Sequence, residues 1–148
     1  MKLSRQRRLN ECEDQSMFSG SVESIHIAKD AGQGMISVAE VHAVPGKGLE
    51  GDRYFNQTGT FSKPQPDREV TFIEIEAIDA LKQESGVELA QGDSRRNIVT
   101  RGVPLNHMVG REFAVGEVMV RGLRLCEPCS HLAQLTHQGV LPGLVHRG

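Results

Sequence analysis

The stretch Phe113-Ala114-Val115-Gly116-Glu117-Val118-Met119-Val120 sets two apolar runs on either side of a glycine, the pattern of two strands reversing on a tight turn. The hairpin it predicts delivers the chain to Leu125-Cys126-Glu127-Pro128-Cys129-Ser130-His131-Leu132, which holds two of the three cysteines. Outward from there, short apolar runs punctuated by Gly and Pro recur at residues 22–28, 34–44, 69–75, 97–100, 111–115 and 117–125. Val70, Phe72 and Glu74 alternate with Thr71, Ile73 and Ile75, the period of a half-buried strand. One helix is predicted over residues 76–85, because Ile75, Ala77, Ile78 and Leu81 return at helical spacing and Gly86 stands where a left-handed cap would end it. A second helix is expected after Cys129, and Gly122 inside the last run suggests a bulge. Strands that predominate, with a few short helices and no regular strand–helix alternation, predict a mainly β, barrel-like or sheet-rich fold and disfavour a doubly wound sheet.

The length of 148 residues fits a single domain, read as residues 21–148 behind a flexible tail at 1–20. Cys12 falls in that tail, where an exposed thiol without a task is the simplest reading. A net charge of −2 and only 4% aromatic residues argue against attraction to nucleic acid or an anionic membrane and against a base-stacking surface. No apolar run approaches the ~18 residues that cross a bilayer. An odd, low cysteine count without a signal segment points to a reduced, cytoplasmic setting rather than a disulfide framework.

Three readings compete for the Cys126-Glu127-Pro128-Cys129 pair. A zinc site needs four ligands, and only scattered histidines at 26, 42, 107, 131, 137 and 146 could complete it. A thioredoxin-like couple expects a βαβ setting, which the flanking hairpin does not supply. Attachment of c-type haem is excluded, since Ser130 separates Cys129 from His131. The third reading is one catalytic thiol, Cys129, at the start of the expected helix. There, amide groups together with Arg121 and Arg124 favour thiolate, Glu127 opposes it, and His131 serves as proton partner. Burial of both cysteines as small hydrophobes is the bland alternative. Two further clusters carry charge. Gly92-Asp93-Ser94-Arg95-Arg96-Asn97-Ile98-Val99-Thr100-Arg101-Gly102 brackets a strand with arginines suited to phosphate or carboxylate, or serves as a charge-guarded edge strand. Gly46-Lys47-Gly48-Leu49-Glu50-Gly51-Asp52-Arg53-Tyr54 is glycine-rich but lacks the spacing of a P-loop, and it reads equally well as a surface turn.

Taken in order, Gly48-Leu49-Glu50-Gly51-Asp52-Arg53, then Arg95-Arg96-Asn97-Ile98-Val99 with Gly102, then Gly110, Gly116 and Leu125 through Leu132, resemble the MOSC domain, named for the C-terminal domain of molybdenum cofactor sulfurases. The resemblance covers residues 21–148. It implies a MOSC-type β-barrel and one functional cysteine, by position Cys129, that carries sulfur as a persulfide or ligates molybdenum in the molybdenum cofactor (molybdopterin). It further implies sulfur transfer or cofactor-dependent catalysis, with pyridoxal phosphate binding among the family's associations. Arg53, Arg95, Arg96 and Asn97 become candidates to bind the anionic part of the cofactor. The implied partners are a cysteine desulfurase or another sulfur donor, and a recipient of the sulfur or the cofactor. Cys126 either resolves the persulfide as a disulfide or packs. Relatives occur alone or fused to sulfur-mobilising or reductase modules, and this short chain resembles the stand-alone kind. Tyr54 stands where relatives carry His or another residue, and the family's further glycine and closing strand after Arg147-Gly148 are missing, so either a differently closed barrel or a truncated product with impaired function is expected. The alternative is a zinc-binding or structural module built on the same turn.

Overall fold

The computed structural model describes residues 2–4, 8–11, 18–62 and 66–147. Its strands are β1 (Lys2–Ser4), β2 (Arg8–Glu11), β3 (Ser19–Ile27), β4 (Ile36–Val38), β5 (Glu40–Val44), β6 (Gly48–Leu49), β7 (Phe72–Glu74), β8 (Ile98–Arg101), β9 (Glu112–Val115) and β10 (Val118–Arg121); its helices are α1 (Ile75–Ser85), α2 (Ser130–Leu135) and α3 (Val140–Leu144). One sheet runs β10-β9-β2-β3-β8-β7 with β4 paired to β3, and a second runs β1-β5-β6. The fold is therefore mainly β with short helices. Among the described residues no strand pairing links the two sheets into a closed barrel.

The 113–121 hairpin forms as its sequence predicts: Val115 opposes Val118 across Gly116-Glu117, and Gly116 takes φ 63°. That conformation at the first turn position suits glycine. Gly86 likewise ends α1 at φ 66°, with its N–H bonded to the Lys82 carbonyl. Other expectations shift. The 69–75 strand narrows to Phe72–Glu74, because Ile75 already opens α1 and turns its side chain into the core. β7, α1 and β8 then form one parallel crossover unit, Phe72 pairing with Ile98 and Ile73 with Val99, although the sequence shows no regular alternation. β10 stops at Arg121, and Gly122 is a close backbone crossing rather than a bulge. A Cβ there would lie 2.2 Å from the Met108 carbonyl oxygen.

Within residues 1–20, assigned above to a flexible tail, β1 pairs with β5 while β2 is inserted between β3 and β9. Leu3 is 2% exposed, so one apolar side chain in a polar segment anchors β1 to the core while Lys2 stays exposed. Cys12 lies outside the described residues.

Alternation along β7 and β8 sorts their side chains between two cores. Ile98 packs in a cluster between the sheets, with Leu3, Val41, Leu49, Phe113 and Val115, and Phe72 packs against it. Ile73 and Val99 point the other way, under Ile78 and Leu81 of α1, where Leu132 of α2 and Val140 and Leu144 of α3 complete a second cluster. Each such residue contributes about 1.5–3 kcal/mol by leaving water. The second core is what seats α2, and so fixes where the chain turns at Cys129. Among the described residues no helix is long and apolar enough to cross a membrane.

Candidate functional site

Asp52 organises the glycine-rich loop. Its carboxylate, 1% exposed, accepts the backbone N–H of Ala28 (3.1 Å) and Tyr54 (3.2 Å), Nδ2 of Asn97 (3.2 Å) and Nη1 of Arg53 (3.3 Å). Arg53 is consequently spent inside the protein. It also donates from Nη2 to the Arg95 carbonyl (3.2 Å) and stacks 4.8 Å from the centre of the Tyr54 ring. Asn97, a predicted cofactor ligand, is committed in the same way. Its Nδ2 donates to the His26 carbonyl as well as to Asp52, and its Oδ1 accepts from the N–H and the hydroxyl of Thr71. Four bonds exhaust that amide.

Arg95 and Arg96 project from the end of a 3₁₀ turn, Gln91–Ser94, and Arg95 takes a left-handed φ of 60°. A non-glycine residue there costs on the order of 1 kcal/mol. Burial, and then the nearby charge of Arg53, hold Arg95 below the usual arginine range. Arg96 is 9% exposed. Its Nη2 donates to the Cys126 carbonyl at 2.7 Å and its Nη1 to the Ser94 carbonyl at 3.4 Å, while Nε is buried without a hydrogen-bond partner. Among the described residues it makes no ion pair.

The cysteine turn is tied down at several points. Arg124 pairs with Asp67, whose carboxyl that contact holds below its ordinary range. Glu127 accepts the N–H of His146 at 2.9 Å and meets its ring at 2.8 Å; the backbone bond chiefly lowers its pKa. Cys126 is half-buried and Cys129 exposed, both free thiols. Cys129 caps the start of α2 as expected, its carbonyl accepting the Ala133 N–H at 3.1 Å. At six residues, α2 has only a modest dipole. Arg124, expected to favour the thiolate, is largely balanced by Asp67.

These elements enclose a cavity of about 700 Å³. Its wall carries Arg53, Arg95, Arg96, Cys126 and Cys129, so four of the six predicted site residues come together. Asn97 does not line it, and neither does His131, whose ring packs edge-on against Phe61 at 6.0 Å and makes no hydrogen bond to Cys129. The proton-partner role for His131 thus has no geometry behind it. Sequence reasoning missed Asp52 as the organiser and Asp67 as the partner of Arg124. An acidic residue amid glycines, Gly51-Asp52-Arg53, was the available signal for the first. Among the described residues no group of three His, Cys, Asp or Glu is placed to hold a metal ion.

A mainly β domain with an exposed cysteine and buried arginines on one cavity is the class that fold and site define. The chain belongs to the MOSC domain family, whose model matches residues 40–147. Among solved structures it is similar to the YUAD protein from Bacillus subtilis, at 15% identity and a TM-score of 0.42, over 99% of this chain and 89% of that one. Comparison with curated proteins gives no match.

Proposed function

We propose that this MOSC domain is a sulfur carrier whose working group is the Cys129 thiolate, on a cavity that also receives an anion at Arg95 and Arg96. The observation that carries the reading is the exposure of Cys129 on the same cavity as the buried, incompletely bonded Arg96. In the transfer, the thiolate attacks the terminal sulfur of a donor persulfide, such as that of a cysteine desulfurase. The donor's S–S bond breaks and releases its thiolate, and a new S–S bond leaves the persulfide on Cys129. A nucleophilic recipient then takes the terminal sulfur and Cys129 returns to thiolate. Cys126 packs in this reading. The two sheets around one core are read as an open form of the family's barrel.

The molybdenum cofactor fits the same residues. Arg95 and Arg96 would hold its phosphate, and Cys129 would be its thiolate ligand. Bound there, it would supply two-electron redox chemistry. Pyridoxal phosphate fits less well, since among the described residues no lysine lines the cavity to hold it covalently.

Incubation with a cysteine desulfurase and sulfur-labelled cysteine, followed by intact mass measurement, tests the carrier. A gain of one labelled sulfur atom that disappears in Cys129→Ala is expected. Equal labelling of that variant, or none of the wild type, would refute it.

A further inference from the structure

We propose that the substrate of this cavity is an amphiphilic anion, with an acid group at Arg96 and an apolar body against Val70, Phe72 and Val120. The proposal rests on the anion site inferred above and names what else the ligand must carry. Arg96 is the polar end of the cavity wall for this ligand. A guanidinium 9% exposed, with a buried Nε that bonds nothing and no ion pair among the described residues, is a cation largely withdrawn from water, with the more distant charge of Glu127 as its partial counterweight. Its two occupied nitrogens serve backbone carbonyls, which leave the charge in place. An anion entering the cavity would bring a full counter-charge to the guanidinium on its wall.

The rest of the wall supplies the other half. Val70, Phe72 and Val120 pack against the core between the sheets yet remain partly exposed, and all three line the cavity, with Leu123 and Met119 beside them at 47% and 43% exposure. An inorganic ion would leave that surface wet, whereas an alkyl or aryl body would remove it from water. The volume of about 700 Å³ is that of a site for an organic ligand rather than a simple ion.

Calorimetric titration of the full chain with acetate, inorganic phosphate, octanoate, octyl phosphate and octan-1-ol tests this, with amide NMR locating each ligand. Octanoate or octyl phosphate should bind at least about tenfold tighter than acetate or inorganic phosphate, since several methylenes leave water. Either should also bind at least about tenfold tighter than octan-1-ol, and the better of the two identifies the acid group. Val120→Gln should weaken the octyl acids and leave inorganic phosphate unchanged; Arg96→Gln should weaken the acids and leave octan-1-ol unchanged. If Arg96→Gln does not fold, the chain-length series on wild type and Val120→Gln still decide. Octanoate no tighter than acetate, and octyl phosphate no tighter than inorganic phosphate, would overturn the amphiphile while the anion site stands. Failure of every anion to bind would overturn both.

Discussion

Arg96 donates from Nη2 to the carbonyl oxygen of Cys126 at 2.7 Å, so a buried cation just ahead of β8 fixes the backbone of the turn that ends in the exposed thiol of Cys129. The contact joins the second and third sequence clusters physically, and makes the geometry of the thiol depend on a residue far from it in the chain.

Replacing Arg96 by Ala should therefore act on stability and on the thiol together. Leaving the Cys126 carbonyl without its donor costs about 1–3 kcal/mol, read by urea denaturation. In a background lacking Cys12 and Cys126, the alkylation rate of Cys129 should change as well. An unaltered rate in a destabilised but folded variant would separate Arg96 from the site.

Asn97→Ala should behave as a core lesion. Its amide bridges His26, Asp52 and Thr71, and loss of four bonds should cost about 2–4 kcal/mol in thermal or urea unfolding. Sulfur loading of whatever fraction stays folded should remain at the wild-type level. A stable variant that cannot load sulfur would return Asn97 to the site.

Local signals were legible in the chain and long-range ones were not. Gly116, Gly86 and the start of α2 at Cys129 follow from dihedral preference and spacing within a few residues, and all three stand where the sequence places them. β1 and β2 were hidden because backbone pairing, with Leu3 as the one buried side chain described there, holds a segment whose composition is polar. At the site, residue types named the chemistry, yet Arg53, of the same type as Arg96, and the neighbouring Asn97 are consumed by Asp52, a relation set by contacts 45 residues apart for Asn97. His131, next to the thiol in sequence, packs edge-on against Phe61 rather than lining the cavity.

Glu74 gives stability a dependence on pH. Burial raises its carboxyl, against the opposing N–H bond from Leu105, so its folded pKa lies above the unfolded one. Its contribution is thus fully present below the unfolded value and is lost as pH rises through the folded one. Glu74→Gln keeps an acceptor for Leu105 and removes the charge. It should raise the melting temperature at pH 7 by about 1–2 °C, a small value because the group is partly solvated, and have no effect near pH 4.

The Glu127–His146 contact runs the other way. The His146 N–H, and then the ring, hold Glu127 below its ordinary range, so the stabilisation is present above the unfolded carboxylate value and lost as pH falls through the folded one. Hydrogen exchange at the His146 amide should accelerate on acidification, relative to the intrinsic rate, in wild type. Glu127→Gln should flatten that dependence. An identical acid profile in the variant would show that the contact does not hold this segment in solution.

Gly122→Ala distinguishes close approach from conformational preference. Gly116→Ala places a side chain at φ 63°, a cost of about 1 kcal/mol. At Gly122 the added Cβ falls 2.2 Å from the carbonyl oxygen and 2.8 Å from the carbonyl carbon of Met108. Main chain cannot rotate aside, so the crossing must open. That crossing also carries the bonds from Gly110 N–H to Gly122 (2.8 Å) and from Gly122 N–H to Arg111 (2.9 Å). Gly122→Ala should then cost about 2–4 kcal/mol in urea unfolding, clearly more than Gly116→Ala. Because Gly122 sends the chain from β10 along the cavity toward Cys126, the substitution should also change Cys129 alkylation, whereas Gly116→Ala should not. Equal stability losses for the two variants would mean that the Met108 crossing yields at little cost.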